Sequence, residues 1–316
     1  MKFIKFKPIY MERVWGGTNL KKEFNRDTQP GKVIGESWEI SDRPEACSVI
    51  CGGQYDGKTI RQAIEADSTN IMGPNWDKNK KFPILVKWLD CEQRLSLQVH
   101  PPMSVAPKLG GEPKTENWYI AKCRENSHLI AGLKKGATKQ EFIDSLKDNS
   151  AEKLLWRFPV SEGDSLFVQS GRLHAIDGGN IILEIQQNSD TTYRVYDWGR
   201  VGLDGKPRKL HINESIESIN FDDFEPQPVS SKGKDTVLCS CKEFSIRTVN
   251  LKKGDHLKFA ANEQPRILSI TKGSLACQCG CQGKVELSDN VLLPYANGQD
   301  FVAESDTVAL ITENFA

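Results

Sequence analysis

Apolar and polar residues alternate over short runs along most of this chain, and few stretches carry the three-to-four spacing of a helix face. The alternation predicts strands at Ser37–Ser41, Phe82–Leu89, Ser96–His100, Ser165–Gln169, Asn180–Gln186 and Thr191–Asp197. A second series follows at Phe244–Leu251, Arg266–Thr271, Val285–Leu287, Asn290–Leu293 and Thr307–Thr312. Gly-Asp, Gly-Gly or Asn-Gly pairs separate many of these runs. With 25 glycines and 15 prolines as punctuation, short strands joined by turns are favoured over long helices. Strands at this spacing build a sandwich or a barrel.

Helices are secondary. Thr59-Ile60-Arg61-Gln62 is a capping box that opens a helix with Ile60, Ala63 and Ile64 on one face. Thr138-Lys139-Gln140-Glu141 is a second, followed by Phe142, Ile143 and Leu146, and a third helix is expected near Ala151–Phe158. The polar stretch Phe221–Asp235, with Pro226 and Pro228, reads as a linker. The fold class is therefore mainly β, with two β domains at 1–228 and 235–316 and a helical patch at about 138–158 in the first.

Charge narrows the function classes. The 316 residues carry 42 Lys+Arg against 42 Asp+Glu, without the cationic excess that a nucleic-acid groove or a polybasic membrane surface needs. No apolar run approaches the roughly 18–20 residues that span a bilayer. The first residues alternate apolar and basic side chains, unlike the apolar core of a signal peptide, so a soluble cytoplasmic protein is expected. Nine cysteines are an odd number for a disulfide framework and read as reduced thiols. Cys277-Gln278-Cys279-Gly280-Cys281 lacks the spacing of common zinc motifs and a fourth ligand, which favours small thiols packed around a turn.

Four fragments can carry chemistry. In Leu95–Pro101, strand alternation puts Ser96, Gln98 and His100 on one face. That face is either an exposed polar stripe or part of a metal site. In Lys114–Ile120, Glu116 would share a face with Trp118. In Glu162–Ala175 a Gly-Asp turn enters a strand, a Ser-Gly turn leaves it, and His174 follows three residues after Gly171. Imidazole nitrogens with carboxylate or amide oxygens, and no thiolate, suit zinc or another divalent first-row ion. In Ile182–Trp198, Glu184, Gln186 and Asn188 alternate with apolar neighbours, and Arg194 stands among Tyr193, Tyr196 and Trp198. A guanidinium there needs an anionic partner, either Asp190 or Asp197 or a substrate phosphate or oxyanion. His128, His211 and His256 lack matching neighbours and read as surface or internally satisfied histidines.

Together these fragments resemble the type I phosphomannose isomerases in their shorter bacterial form. The likeness rests on Val14–Gly17, Gly35–Ser41, Phe82–Asp90, Leu95–Pro101, Lys114–Ile120, Ser170–Ala175 and Glu184–Trp198, in that order. The resemblance implies two cupin-type jelly-roll barrels, one zinc ion per chain, and interconversion of mannose 6-phosphate and fructose 6-phosphate. The family's zinc ligands fall on Gln98, His100, Glu116 and His174, and its active-site arginine on Arg194. Its pocket lysines fall on Lys87 and Lys114, its pocket serine on Ser96, and an acidic position on Glu184. The segment Pro102–Pro113, with Gly110-Gly111, departs from the family pattern near Glu116, and the helical domain of eukaryotic members is reduced to the patch at 138–158.

Isomerisation of an aldose to a ketose moves a proton between neighbouring carbons through an enediol(ate). Zinc would polarise the carbonyl, Arg194 would offset developing charge, and Glu184, Lys114 and a zinc-bound water are candidate bases, Glu184 foremost. The expected partner is a small phosphorylated hexose, with no nucleic acid or membrane, on a monomer or weak homodimer. Two rival readings keep the same pocket: a non-catalytic, regulatory sugar-phosphate-binding cupin, and a cupin oxygenase or epimerase with iron or no metal.

Overall fold

A computed structural model describes residues 3–278 and 283–316, which leaves Cys279 and Cys281 outside the described residues. The chain is mainly β. It divides into two compact units, one holding Tyr10–Ser37 and Trp88–Val229, the other the stretch up to Ile9 together with Trp38–Lys87 and Ser230–Ala316. The linker expected at 221–235 contains the crossing at Val229/Ser230. Trp38–Lys87, however, groups with the C-terminal stretch, because the chain leaves and re-enters along the strands Ile34–Ile40 and Ile84–Cys91.

In the first of these units, a five-stranded antiparallel sheet runs in the order Leu155–Pro159, His128–Leu133, His174–Ile176, Leu97–Val99, Tyr193–Tyr196. Its two faces do different work. Leu129, Ala131 and Ile176 point inward, into a core shared with Trp118, Ile120, Leu166, Val168 and Ile182 of a seven-stranded sheet. Ile130, Leu133, Leu97, Val99, Tyr193 and Val195 point outward, into a second cluster with Phe142, Leu155, Leu173 and Ile219. With period-2 alternation, burial of both faces leaves the inward polar positions Gln98, His174 and Arg194 inside the barrel.

Helix Lys139–Lys147 belongs to the cover of the outer face. Its cap forms as the sequence predicts, with Thr138 Oγ1 accepting from Glu141 N–H and Glu141 returning the bond to Thr138 N–H. The Thr59–Gln62 box likewise opens helix Ile60–Met72. The expected third helix is absent: Ala151–Leu154 forms one 3-10 turn, and Leu155–Pro159 continues as a strand paired with His128–Leu133. Here Trp156 and Phe158, with ring centroids 6.3 Å apart, pack toward the inner core, where a pleated edge fits aromatics better than a helix would.

The other unit contains, among the described residues, five-stranded and four-stranded antiparallel sheets. Their core includes Leu268, Ile270, Val291, Phe301 and Ile311, and Cys277 is buried in it. Among the described residues, no helix is long and apolar enough to cross a membrane.

Phe142 is fully buried and meets Phe221 edge-on at 6.0 Å. Phe142→Ala is therefore expected to cost about 3–5 kcal/mol of unfolding free energy in urea titration. A loss below about 1 kcal/mol would mean that this helix is not a structural cover of the sheet.

Candidate metal centre

Three strand ends bring His100, Glu116 and His174 together, with one ligand atom from each lying within 4.8 Å of the others. His100 follows strand Leu97–Val99, Glu116 opens Glu116–Cys123, and His174 opens His174–Ile176. Gly171, with a φ of +93°, makes the turn before His174 and donates its N–H to the His100 carbonyl at 2.7 Å. Only glycine holds that backbone angle without strain, so one turn ties the two histidine segments together.

Each imidazole is oriented by a backbone carbonyl. His100 Nδ1 lies 2.9 Å from Thr191 O, and His174 Nδ1 lies 2.8 Å from Arg172 O. A carbonyl only accepts, so Nδ1 carries the proton in both rings and Nε2 presents a lone pair. Those lone pairs face Glu116, with His100 Nε2 at 3.3 Å from Oε2 and His174 Nε2 at 3.6 Å from Oε1. All three side chains are 0% exposed; neither Nε2 finds a hydrogen-bond donor, while Oε2 of the carboxylate faces the Lys114 ammonium at 2.9 Å.

The electrostatics keep this arrangement unsatisfied. Burial holds both imidazoles neutral: it lowers the pKa of His100, with the Lys114 charge adding to the effect, and takes His174 down to about 3. Burial opposes the charge on Glu116, but Lys114, with its ammonium 2.9 Å from Oε2, holds that carboxyl well below its usual range. Burial likewise opposes the Lys114 charge, yet Glu116 and Glu184 raise its pKa above the ordinary lysine value. The result is a buried anion facing two lone pairs. A divalent cation fits such a donor set.

Three of the other candidates, Gln98, Glu184 and Arg194, lie on the same or neighbouring strands. Gln98 stands opposite His174 on one neighbouring strand and opposite Arg194 on the other. Glu184 is buried opposite Trp118 and accepts its indole N–H at 3.0 Å, while the Trp118 ring meets His174 edge-on. Ser96 is buried just before its strand. Arg194 donates from Nη1 to Lys209 O at 2.9 Å. Burial and the nearby Arg208 and Arg200 lower its pKa, against Asp197. Lys87 lies in the unit that holds Trp38–Lys87, with its ammonium 4.7 Å from the centroid of the Trp38 ring.

The loop that departs from the family pattern is pinned beside the site. Glu112 N–H donates to Thr191 Oγ1 at 3.0 Å, and a side chain at Gly111 would meet Tyr193 Oη at 2.7 Å. Sequence reasoning missed the two orienting carbonyls, which no side-chain pattern encodes. It also missed Arg13, whose guanidinium grips Glu36 at 2.9 and 3.0 Å and feels the charge of Asp190. A basic residue alternating with Trp15, next to Glu12 in the strand Ile9–Gly17, was the available signal. His211 reads from sequence as a surface or satisfied histidine; it is half-buried and bonded to the Arg194 backbone.

The family model "Phosphomannose isomerase type I, catalytic domain" matches residues 3–110. The mannose-6-phosphate isomerase ManA of Bacillus subtilis is 36% identical over 303 residues, covering 93% of each chain. The mannose-6-phosphate isomerase of Streptococcus mutans is 37% identical over 249 residues, or 76% of this chain and 77% of its own. Among solved structures, the Bacillus subtilis mannose 6-phosphate isomerase superposes with a TM-score of 0.88 at 29% identity, over 99% of this chain and 100% of that one. The cupin-type fold expected from the sequence is the fold observed. By these relatives the chain belongs to the type I phosphomannose isomerase family.

Proposed function

We propose that the protein is a zinc-dependent aldose–ketose isomerase that interconverts mannose 6-phosphate and fructose 6-phosphate through an enediol(ate), acting in the cytoplasm. The observation that carries this reading is the buried convergence of the Glu116 carboxylate with His100 Nε2 and His174 Nε2, whose lone pairs have no donor. Two imidazole nitrogens, a carboxylate and no thiolate match the zinc donor set, with the Gln98 amide oxygen as the fourth donor. Zinc at this centre would act as a Lewis acid that polarises the substrate carbonyl.

The remaining work falls to the chain's own groups. Glu184 is the base that moves the proton between the two carbons: it is buried beside the metal-binding strand and oriented by the Trp118 indole. Lys114, with its ammonium 2.9 Å from Glu116 Oε2, works as a cation that donates to substrate oxygens and offsets charge beside Glu116. Arg194 faces the barrel interior opposite Gln98 and meets the developing negative charge. Arg200 and Arg208, which share Asp197 with each other, add positive potential for the substrate phosphate, and the Ser96 hydroxyl is a further donor. Lys87 is left without an assigned step.

A coupled assay of fructose 6-phosphate formation, run with metal analysis, tests the reading. His100→Ala is expected to lose zinc and turnover together, and full activity in the metal-free variant would overturn the reading. Arg194→Ala is expected to keep zinc and lose about 100-fold in kcat. A rise in KM alone would instead make Arg194 a ground-state clamp for the phosphate. Sugar-phosphate binding without turnover in the zinc-loaded protein would leave a non-catalytic binding protein.

The buried imidazoles also set an acid limit on the chelated protein. The unfolded chain takes up protons near the ordinary histidine pKa of about 6.5, whereas the folded chain resists protonating His174 down to about 3. Stability is then lost as the pH falls below 6.5, on the order of 2 kcal/mol at pH 5 for a single such group. The melting temperature of chelated protein should fall between pH 7 and 5, and His174→Gln should flatten the slope. An unchanged slope would contradict a neutral buried His174.

A further inference from the structure

We infer that His211 is a positioning residue that holds Arg194 in its working orientation, an inference that rests on the catalytic reading of Arg194 above. The strand Tyr193–Tyr196 is the edge of the five-stranded sheet, paired on one side with Leu97–Val99. An edge strand leaves backbone donors and acceptors without a ladder partner. At Arg194 one residue takes both. His211 N–H donates to the Arg194 carbonyl at 2.8 Å, and the Arg194 N–H donates to His211 Nδ1 at 3.2 Å.

Two consequences follow from this pairing. Since both main-chain groups of Arg194 face His211, Arg194 and Gln98 form a non-hydrogen-bonded pair, the closer of the two cross-strand spacings. The clip therefore fixes Arg194 at the position directly opposite a candidate zinc ligand. The guanidinium is then caught by Lys209 O, two residues before His211, at 2.9 Å. Three bonds from the segment 209–211 thus fix the amide, the carbonyl and the guanidinium of one arginine.

The clip is itself anchored at both ends. His211 precedes helix Ile212–Ser218, and its carbonyl accepts from Ser215 N–H at 2.9 Å. On the other side Arg208 grips Asp197 from Nε at 2.7 Å and from Nη2 at 2.5 Å, and Arg200 joins it at 2.8 Å. The excursion between them is narrowed by the pairing of Val201 with Pro207. Tyr193, with its ring centroid 6.0 Å from that of His211, packs beside the clip. The bond from Arg194 N–H requires a lone pair on Nδ1. Burial favours that neutral form and the charges of Arg194 and Lys209 add to it, with Glu214 acting against them.

An asparagine side-chain oxygen occupies much the same place as histidine Nδ1 and accepts the same bond; alanine leaves the Arg194 amide unpaired. The experiment uses the zinc-loaded full chain and compares His211→Ala, His211→Asn, Arg194→Ala and the double variant His211→Ala with Arg194→Ala. It reads kcat and KM for mannose 6-phosphate, zinc content and melting temperature. The expected result is a kcat loss of about ten- to a hundredfold in His211→Ala, with KM and zinc within about twofold of the parent. His211→Asn is expected to recover most of that loss, and the double variant to be no slower than Arg194→Ala. Parent-like kcat in His211→Ala would overturn the inference, as would a double variant slower than Arg194→Ala, the mark of a general structural effect. Failure of a folded, zinc-loaded His211→Asn to recover would overturn it too. Full activity in Arg194→Ala would instead sink the underlying catalytic reading, whatever the His211 variants did.

Discussion

The structure depends on one electrostatic constraint: the Glu116 carboxylate is ionised where no water reaches it. A lone buried anion costs far more than a folded domain can spare, so its surroundings must return positive charge. Lys114 supplies part of this as a direct ion pair. The two neutral imidazoles aim lone pairs at the same point and make the local deficit larger. Nearby features serve this arrangement: the carbonyls of Thr191 and Arg172 choose the tautomers, and Gly171 ties the two histidine segments together.

The barrel makes such a polar interior tolerable. With the outer face of the five-stranded sheet sealed by Phe142, Leu155 and Ile219, and part of the inner face filled by Trp118, Ile120 and Ile182, polar groups inside are confined to a few strand positions. They are also held against motion, because each lies on or beside a strand whose alternate residues are locked in apolar clusters. Precise placement of donors here comes from packing on the far side of the sheet.

Much of this was legible in the sequence, for an identifiable reason. Strand alternation is local, so Gln98 and His100 could be put on one face without knowledge of the fold, and most strand positions agree with the structure to within a few residues. Both capping boxes are local signals and both form. What depended on long-range pairing was not legible. Leu155–Pro159 is a strand because His128–Leu133 offers it an edge, a fact absent from its own composition. The grouping of Trp38–Lys87 with the C-terminal stretch has the same character. So does the role of His211, which has no informative neighbours in sequence and acquires its meaning from the bare edge of a strand that begins eighteen positions earlier, at Tyr193.

The carbonyl clasps on the two imidazole rings bear on the order of assembly. Every bond that aims the rings is made to the chain itself, so the rings stay aimed whether or not an ion is bound. The clasp on His174 is local, two residues long, whereas that on His100 spans 91 residues and closes late, once the sheets have formed. A metal ion would thus meet rings already aimed, in contrast to small zinc modules that need the metal to fold at all.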